Sequence, residues 1–317
     1  MSESRRARAE SDGAGEGTVE RRTFLKGGSA LAFSGAAGLL GCTPPGGPAE
    51  ELEAASDPDE LVGAWNEFCE SLKAAAPPLL RAPAQSPEER ASGLRFLTRL
   101  ISQTLDHGLE YDDPAFPQLY RSQEYASQQG GPNPDTSYID GRISGEYDYR
   151  LFGRRGDVHF VTFSTQRGMK ALKEGKPGFV DNLVGQALQV DSEGRFEIRI
   201  GRERPDGYSG NFLRTTEDTE RVAIRQIFGA WHEEQPMELH LERIGGEGEL
   251  RPPPRFDDIA RRVRGVGAQV GFMSDFWVND LGRFLSRPNS FQEYQERDPD
   301  KRSVAYTPGG RALVGVW

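Results

Sequence analysis

The stretch SYIDGRISGEYDYRLFGRRGDVHFVTFS, residues 137–164, decides the fold of this 317-residue chain. Apolar and polar residues alternate within it in the runs 137–143, 147–152 and 158–164, and glycine-containing turns separate these runs. Alternation with a period of two is typical of strands that bury one face against a core. The stretch therefore predicts three consecutive strands of an antiparallel sheet.

More strands are expected at the same short spacing further along the chain. The runs 186–190, 195–200, 221–228 and 237–244 each have the strand pattern. At least seven short strands in succession indicate an antiparallel sandwich or barrel. We predict a jelly-roll-like antiparallel β-sandwich domain over residues 111–250.

Helices are predicted before the sandwich, over residues 57–110. In the first helix the apolar residues recur at helical spacing, and in the second helix the sequence Ser86-Pro87-Glu88-Glu89 has the pattern of a capping box. The expected inner faces comprise Leu61, Trp65, Phe68 and Leu72 on the first helix and Leu94, Leu97, Ile101 and Leu105 on the second.

A long helix is predicted after the sandwich, within residues 255–317, followed by the start of a possible second β-region. Gly265, Gly267 and Gly271 lie inside the helical pattern, where each glycine costs up to about 1 kcal/mol relative to alanine. We therefore expect a helix that is either broken or very closely packed at these positions. Together these elements predict the α+β class, mainly β with helices on both sides of the sandwich in sequence.

The N-terminal segment has the pattern of a bacterial export signal. Arg21 and Arg22 precede Phe24 and Leu25, and residues 27–41 consist only of Gly, Ala, Ser, Leu and Phe. This apolar run is too short to span a bilayer, which takes about 20 residues, but it has the length of a signal peptide's apolar region. Residues 1–41 therefore predict a twin-arginine signal peptide, with the twin-arginine translocase as a partner during export.

A lipid anchor is predicted at Cys42, because Leu39-Leu40-Gly41-Cys42 has the pattern of a lipobox. Residues 42–56 would then form a flexible tether between the lipid and the folded part. The predicted location is outside the cytoplasm, as a membrane-anchored lipoprotein of the periplasm or cell surface. The alternatives are cleavage after Ala36 or Ala37, which would release a soluble protein, and a basic tail that precedes a buried helix.

The charge of the chain argues against nucleic acid as a partner. The formal net charge is -10, and residues 1–41 hold six basic and five acidic side chains, so the remainder carries -11. Nucleic-acid-binding proteins use basic surfaces to contact phosphates. Glycans and small polar molecules remain compatible with this composition.

Several short motifs in a fixed order resemble a known family. They are Gly131-Pro132-Asn133-Pro134-Asp135-Thr136-Ser137-Tyr138, Tyr149-Arg150-Leu151-Phe152-Gly153, Phe163-Ser164-Thr165-Gln166, Gly210-Asn211-Phe212-Leu213, Val222-Ala223-Ile224-Arg225-Gln226-Ile227-Phe228 with Trp231, and Glu238-Leu239-His240-Leu241-Glu242-Arg243-Ile244. Over residues 60–317 the chain is similar to bacterial proteins with the domain of unknown function 1214. The resemblance implies a mainly β architecture with helical parts, like the sandwich domains of glycan-binding and glycan-cleaving proteins, and it implies no established activity.

The candidate site begins where the long loop 111–136 enters the first predicted strand. Asn133 and Asp135 are short polar residues beside prolines, and Tyr138, Asp140 and Arg142 alternate along one strand face. Such a cluster could bind a polar ligand, or Asp135 could act as a general acid or base. The simpler alternative is an Asx-turn that only starts the strand.

Residues from a later strand could complete this site. Arg225 lies among apolar neighbours and needs a partner, for which Asp135 and Asp140 are the candidates. The interpretation as a structural ion pair is favoured over ligand binding. Trp231, with Tyr138 and Tyr208, could form a platform for a sugar ring, although aromatic side chains more often belong to a core.

No cofactor is predicted, and a metal site is the weaker hypothesis. His240 and Glu242 are two apart on one strand and His159 lies on another, so three ligands from strands could meet. Nucleophile and phosphate-binding motifs are not found in the sequence.

The leading functional hypothesis is a lipid-anchored protein that binds a polar or carbohydrate ligand through Asn133, Asp135, Tyr138, Arg225 and Trp231, with Arg142 on the same face. One alternative is a hydrolase of envelope glycans or amide bonds. It would use Asp135 with Asp140 or Glu242 as the second carboxylate. The other alternative is a structural partner within an envelope complex. The sequence does not decide between enzyme and binding protein.

Overall fold

The computed structural model describes residues 58–81, 86–124, 126–129, 132–285, 287–293 and 313–316. Two helices come first, α1 (Pro58–Leu80) and α2 (Pro87–Leu105), and a short π-helical turn (Asp106–Glu110) extends α2. The predicted Arg21, Arg22 and Cys42 motifs lie outside the described residues. Among the described residues, no helix combines the length and apolar character that a membrane span requires.

The capping box at the start of α2 is confirmed. Ser86 Oγ accepts the backbone N–H of Glu89 at 3.2 Å, and the Glu89 carboxylate accepts the backbone N–H of Ser86 at 2.7 Å. These two bonds satisfy backbone donors that have no partner within the helix, and they fix where the helix begins.

Eleven strands follow within the described residues. They are β1 (Leu119–Arg121), β2 (Thr136–Arg142), β3 (Tyr149–Arg154), β4 (Phe160–Arg167), β5 (Phe179–Val184), β6 (Arg195–Gly201), β7 (Asn211–Arg214), β8 (Thr219–Ile227), β9 (Glu238–Arg243), β10 (Ser290–Glu293) and β11 (Leu313–Val316). A short helix, α3 (Met169–Lys173), lies between β4 and β5, and α4 (Phe256–Leu285) follows β9.

The strands form two sheets that share one core. The five-stranded sheet has the order β1-β2-β8-β4-β5 and the four-stranded sheet has the order β7-β6-β3-β9. Leu151 and Ile198 from the second sheet pack in the same apolar cluster as Phe163 and Ile224 from the first, and all four are fully buried. All pairs within these sheets are antiparallel except β6 with β7, so the predicted α+β class with a mainly antiparallel sandwich is confirmed.

One predicted strand is wrong, and a neighbouring strand was not anticipated. Residues 186–190 were expected to form a strand, but Gly185–Ala187 forms a 3₁₀ turn and the strand is β5, just before it. The side-chain amide of Asn211 bonds both the N–H and the C=O of Gln189 at 2.8 Å. The Asn211 side chain thus takes the hydrogen-bonding place of a neighbouring strand. The alternating residues 186–190 therefore do not pair in a β-ladder.

The helices form a second apolar core. Phe68 of α1, Leu97 and Leu100 of α2, and Val266 and Val270 of α4 are buried together. The expected inner faces were wrong at two positions, because Trp65 is 57% exposed and Leu94 is 51% exposed. Which part of an apolar stripe is covered depends on where the partner helix crosses it.

Helix α4 is continuous through its glycines. A Cβ built at Gly267 would lie 3.0 Å from Ser71 Cβ and 3.3 Å from Phe68 Cα on α1, whereas Cβ atoms at Gly265 and Gly271 would have no neighbour within 4 Å. The expectation of very close packing therefore applies to Gly267. The final strand-like segment of the sequence includes β11, which pairs antiparallel with β10.

Candidate functional site

The candidate site is a cleft of about 270 Å³ at one end of the five-stranded sheet, called here the Trp231 cleft. It lies where β2 begins, between the loop after β1 and the turn after β8. In the antiparallel ladder Thr136 of β2 is opposite Ile227 of β8, and the backbone N–H of Phe228 donates to Asp135 O at 2.8 Å. This register brings residues nearly one hundred positions apart to the same end of the sheet.

Trp231 presents an aromatic face at the cleft. Its ring stacks on the buried Phe228, with centroids 3.8 Å apart and planes 17° from parallel, while 46% of Trp231 stays exposed. A tryptophan that is packed on one side and open on the other is suited to contact a ligand that has an apolar face.

Glu234 holds the turn that carries Trp231. Its carboxylate accepts the backbone N–H groups of Gly229 and Ala230 at 2.9 Å and that of His159 at 2.8 Å. These bonds favour the charged carboxylate and lower the pKa of Glu234, with the bond from His159 contributing most. The turn after β8 is thus tied to the residue that precedes β4.

Asn133 also lines the cleft. Its Oδ1 accepts the backbone N–H of Asp135 at 2.9 Å, which is an Asx-turn, and its own backbone N–H donates to the hydroxyl of Tyr138 at 2.9 Å. The Asx-turn that the sequence offered as the simpler alternative is therefore present. The same asparagine also lines the cleft, together with Tyr138 and the flanking residues Pro132 and Pro134.

Polar residues at the end of β1 and in the loop after it complete the lining. Gln123, Gln128, Arg121 and Glu124 contribute, and Arg121 Nη1 lies 3.6 Å from Glu124 Oε1. Sequence reasoning named none of these four residues individually. The signal that could have found them is the loop's length and its richness in Gln, Gly and Pro, since long ordered loops often line sites.

Asp135 and Arg142 do not line the cleft. Asp135 is exposed and contributes its backbone to the junction with β8. Arg142 lies at the other end of β2, 2.9 Å from Asp112 and 2.7 Å from Glu220. Burial acts to lower the pKa of Arg142, but these two carboxylates raise it on balance, as expected of a charge held in a structural ion pair.

Arg225 lies next to the cleft and contacts Tyr138. The two residues are opposite each other in the β2–β8 ladder, and the guanidinium carbon is 5.4 Å from the centre of the tyrosine ring. Burial lowers the pKa of Arg225. Asp140, which with Asp135 was one of the two partners suggested for Arg225, forms an ion pair with Arg221 at 3.3 Å.

A polar cluster that includes the buried Asp140 lies outside the cleft lining. The rings of His107 and Tyr120 are 4.4 Å apart, and Tyr120 is opposite Asp140 in the ladder. Burial lowers the pKa of His107, although the nearby Asp140 partly opposes this shift. Arg221 also bonds Gln166 Oε1 at 2.9 Å, so Asp140 belongs to a connected polar network.

Tyr208 and the metal candidates lie elsewhere. Tyr208 precedes β7 and its hydroxyl donates to Asn211 O at 3.2 Å, away from the cleft lining. His240 Nε2 is 3.0 Å from Glu238 Oε1, and Glu242 is 2.6 Å from Arg150, both on the four-stranded sheet. His159 precedes β4 of the other sheet, and the described part of the chain holds no group of three residues suited to a metal ion.

A larger and more open groove of about 420 Å³ lies beside β6, but its polar groups pair with one another. Arg195 bonds Asp191 at 2.8 Å, and Asn211 bonds Gln189 and Glu197. We therefore place the candidate site at the smaller Trp231 cleft, where an exposed aromatic ring and side-chain amides meet.

Comparison with known proteins supports the fold and leaves the function open. No protein-family model matches the chain, and no curated protein matches it significantly. The solved structure of an uncharacterized protein from Burkholderia cenocepacia is similar, with a TM-score of 0.70 and 28% identity over 79% of this chain and 68% of that one. A Vibrio parahaemolyticus protein has a TM-score of 0.32 and 15% identity, over 51% of this chain and 46% of its own.

Proposed function

We propose that this chain is a lipid-anchored protein outside the cytoplasm that binds a polar, carbohydrate ligand in the Trp231 cleft. The observation that carries the proposal is the exposed Trp231 ring, which stacks on Phe228 and lines a cleft together with amides and hydroxyls. Aromatic faces contact the apolar face of a sugar ring, while amides and hydroxyls bond its polar groups. The cleft volume is near the lower end for small-molecule sites, which suits a short sugar segment.

Binding has more support than hydrolysis. Asp135, the carboxylate that a hydrolase would use, is exposed and outside the cleft lining. Of the second carboxylates considered, Asp140 is paired with Arg221 and Glu242 is paired with Arg150 on the other sheet. Glycosidases need two carboxyl groups across one bond. Within the part of the chain that the structure describes, no specific contact favours the role as a structural partner.

A glycan screen followed by calorimetry tests the binding proposal. For any glycan that binds, Trp231→Ala should weaken the affinity at least about tenfold, as expected when a central aromatic contact is removed. Trp65→Ala is a matched control, because Trp65 is similarly exposed but lies on α1. Equal affinities for wild type and Trp231→Ala would refute the site.

The proposed location depends on Arg21, Arg22 and Cys42 and has its own test. The mature protein should be recovered from the membrane fraction with a mass that matches cleavage before an acylated Cys42. Cys42→Ser should release the protein from the membrane, because an acylated cysteine supplies the anchor. Replacing Arg21 and Arg22 by lysines should block export. An unprocessed N-terminus in wild-type cells would contradict the proposed location.

A further inference from the structure

The amide groups that line the Trp231 cleft have fixed orientations. Asn133 Oδ1 accepts the backbone N–H of Asp135, and Gln123 Oε1 accepts the backbone N–H of Gln129 at 3.0 Å. Because a backbone N–H can only donate, each bonded side-chain atom must be the oxygen. Each amide oxygen keeps one further lone pair and each amide nitrogen has two N–H groups, so these two side chains offer a ligand more donors than acceptors.

Tyr138 and Trp231 add two more donors to the cleft. The hydroxyl oxygen of Tyr138 accepts the backbone N–H of Asn133, so its own proton is left for another acceptor. The indole nitrogen of Trp231 can only donate. Within the described ranges, neither these two groups nor the amide nitrogens of Asn133 and Gln123 donate to a protein acceptor.

Acceptors are fewer in the lining. The carboxylate of Glu124 is the only charged acceptor among the lining residues, and it already faces Arg121 at 3.6 Å. Both members of this pair are more than half exposed, so the pair is weak and Arg121 can turn towards a ligand. Gln128, Thr136 and Ser137 can donate or accept. The lining is thus biased towards donors.

We propose that the cleft selects saccharides that carry carboxyl groups, because a carboxylate or its ester presents only acceptors to these donors. This inference rests on the proposed carbohydrate binding and names the class of sugar. A hydroxymethyl group at the same ring position brings a proton that finds few acceptors here. An unmatched buried donor or acceptor lowers affinity, so the pattern of donors is also a basis for selection.

Three matched ligands test the preference on the wild-type protein by isothermal titration calorimetry. They are α-1,4-linked trigalacturonate, its fully methylated ester and the corresponding neutral galactotriose. The uronate and the ester should each bind at least about tenfold more tightly than the neutral sugar. Comparison of uronate with ester separates the effect of negative charge from that of the carbonyl acceptor. A neutral sugar that binds as tightly as the other two overturns the proposal.

The sharpest test uses substitutions that keep the bond to the backbone N–H but replace the hydrogen-bond donor by an acceptor. Asn133→Asp and Gln123→Glu retain the oxygen that accepts the backbone N–H and replace the amide nitrogen by a second oxygen. Each should weaken binding of the methyl ester several-fold without lowering the melting temperature. Because the ester is uncharged, charge repulsion does not account for such a loss.

The control is Asn182→Asp, the same chemical change at an exposed site on β5, at the opposite edge of the sheet. It should leave the affinity for all three ligands unchanged. Unchanged ester binding by Asn133→Asp and Gln123→Glu would refute the donor argument.

The two proposals fail in different ways. If all three sugars bind equally and Trp231→Ala weakens each of them, the site stands and the carboxyl preference is wrong. If none of the three binds, but the glycan screen finds another sugar whose affinity depends on Trp231, only the carboxyl preference is wrong. If Trp231→Ala changes no affinity, both proposals are wrong.

Discussion

Gly267 of α4 lies so close to Ser71 of α1 that a Cβ at position 267 would be 3.0 Å from the Ser71 Cβ. The same Cβ would also be 3.3 Å from the backbone of Phe68, which has little freedom to move. The two helices therefore depend on a residue without a side chain at this crossing.

Gly267→Ala should lower the free energy of unfolding by about 1 kcal/mol or more, because crowding at a packed contact outweighs the gain in helix propensity. Gly265→Ala should raise it by up to about 1 kcal/mol, since nothing lies within 4 Å of a Cβ there. Urea unfolding of both variants measures the difference. Changes of the same sign and size would contradict the close contact.

Substitution of Phe228 should affect mainly stability, whereas substitution of Trp231 should affect mainly binding. Phe228 is 4% exposed and packs in the sandwich core, so Phe228→Ala should cost about 3–5 kcal/mol of stability. Trp231→Ala removes a half-exposed ring and should cost about 1 kcal/mol. Urea unfolding gives both values. If Trp231→Ala cost as much as Phe228→Ala, its role would be that of a core residue.

Glu234 should make the Trp231 turn sensitive to acid. Its pKa is below the ordinary value of 4.5 in the folded protein, so its contribution is complete above pH 4.5 and is lost as pH falls through the folded pKa. Glu234→Gln keeps the size of the side chain but weakens the bonds to the three backbone N–H groups. The variant should be less stable than wild type at neutral pH.

Melting curves as a function of pH test the role of Glu234. The difference between wild type and Glu234→Gln should shrink below pH 4.5, as the wild-type carboxyl becomes protonated. A difference that stays constant down to acid unfolding would show that the charge of Glu234 does not hold the turn.

His107 should destabilise the protein when it takes up a proton. Burial lowers its pKa below 6.5, with Asp140 of β2 and Asp106 of its own turn opposing the shift and Arg221 of β8 adding to it. The unfolded chain then binds the proton more readily, so stability is complete above pH 6.5 and decreases as pH falls towards the folded pKa.

His107→Phe keeps a ring against Tyr120 and removes the titration. Compared with this variant, wild type should lose stability between about pH 7.5 and about pH 5, on either side of the ordinary histidine pKa. Urea unfolding of both proteins at these two pH values measures the loss of stability. If both proteins lost the same stability between these pH values, protonation of His107 would be excluded as the cause of the loss.

Local patterns were enough to predict several elements. The capping box at Ser86 and Glu89 needs only two residues three apart, and both of its bonds are present. Alternation along 137–164 predicted β2, β3 and β4 to within a few residues. Such predictions succeed because the interactions that define them lie within one helix turn or one strand.

Predictions that depend on a distant partner were less reliable. Trp65 belongs to an apolar stripe but is exposed, because α4 covers a different part of α1. Residues 186–190 alternate like a strand, yet the side chain of Asn211 bonds the backbone of Gln189 in place of a neighbouring strand. Neither partner is visible in the local sequence.

Some residues of the candidate site could likewise be predicted from the sequence, and others could not. The residue types at Asn133, Tyr138 and Trp231 marked them as candidates from the sequence, and the structure brings all three to one cleft. Gln123 and Gln128 were not named, because an amide in a long loop has no distinctive pattern. Asp135 was named for its chemistry, but its place in the Asx-turn leaves it outside the lining.

The sequence by itself determined the α+β class, the start of α2 and the strand faces, because capping and alternation act over a few residues. The tertiary structure decided the site. The β2–β8 register places Ile227 opposite Thr136, and so brings Trp231 and Asn133 to the same cleft. It also decided the orientation of two amides in the cleft, since the backbone N–H groups of Asp135 and Gln129 bond the side-chain oxygens of Asn133 and Gln123.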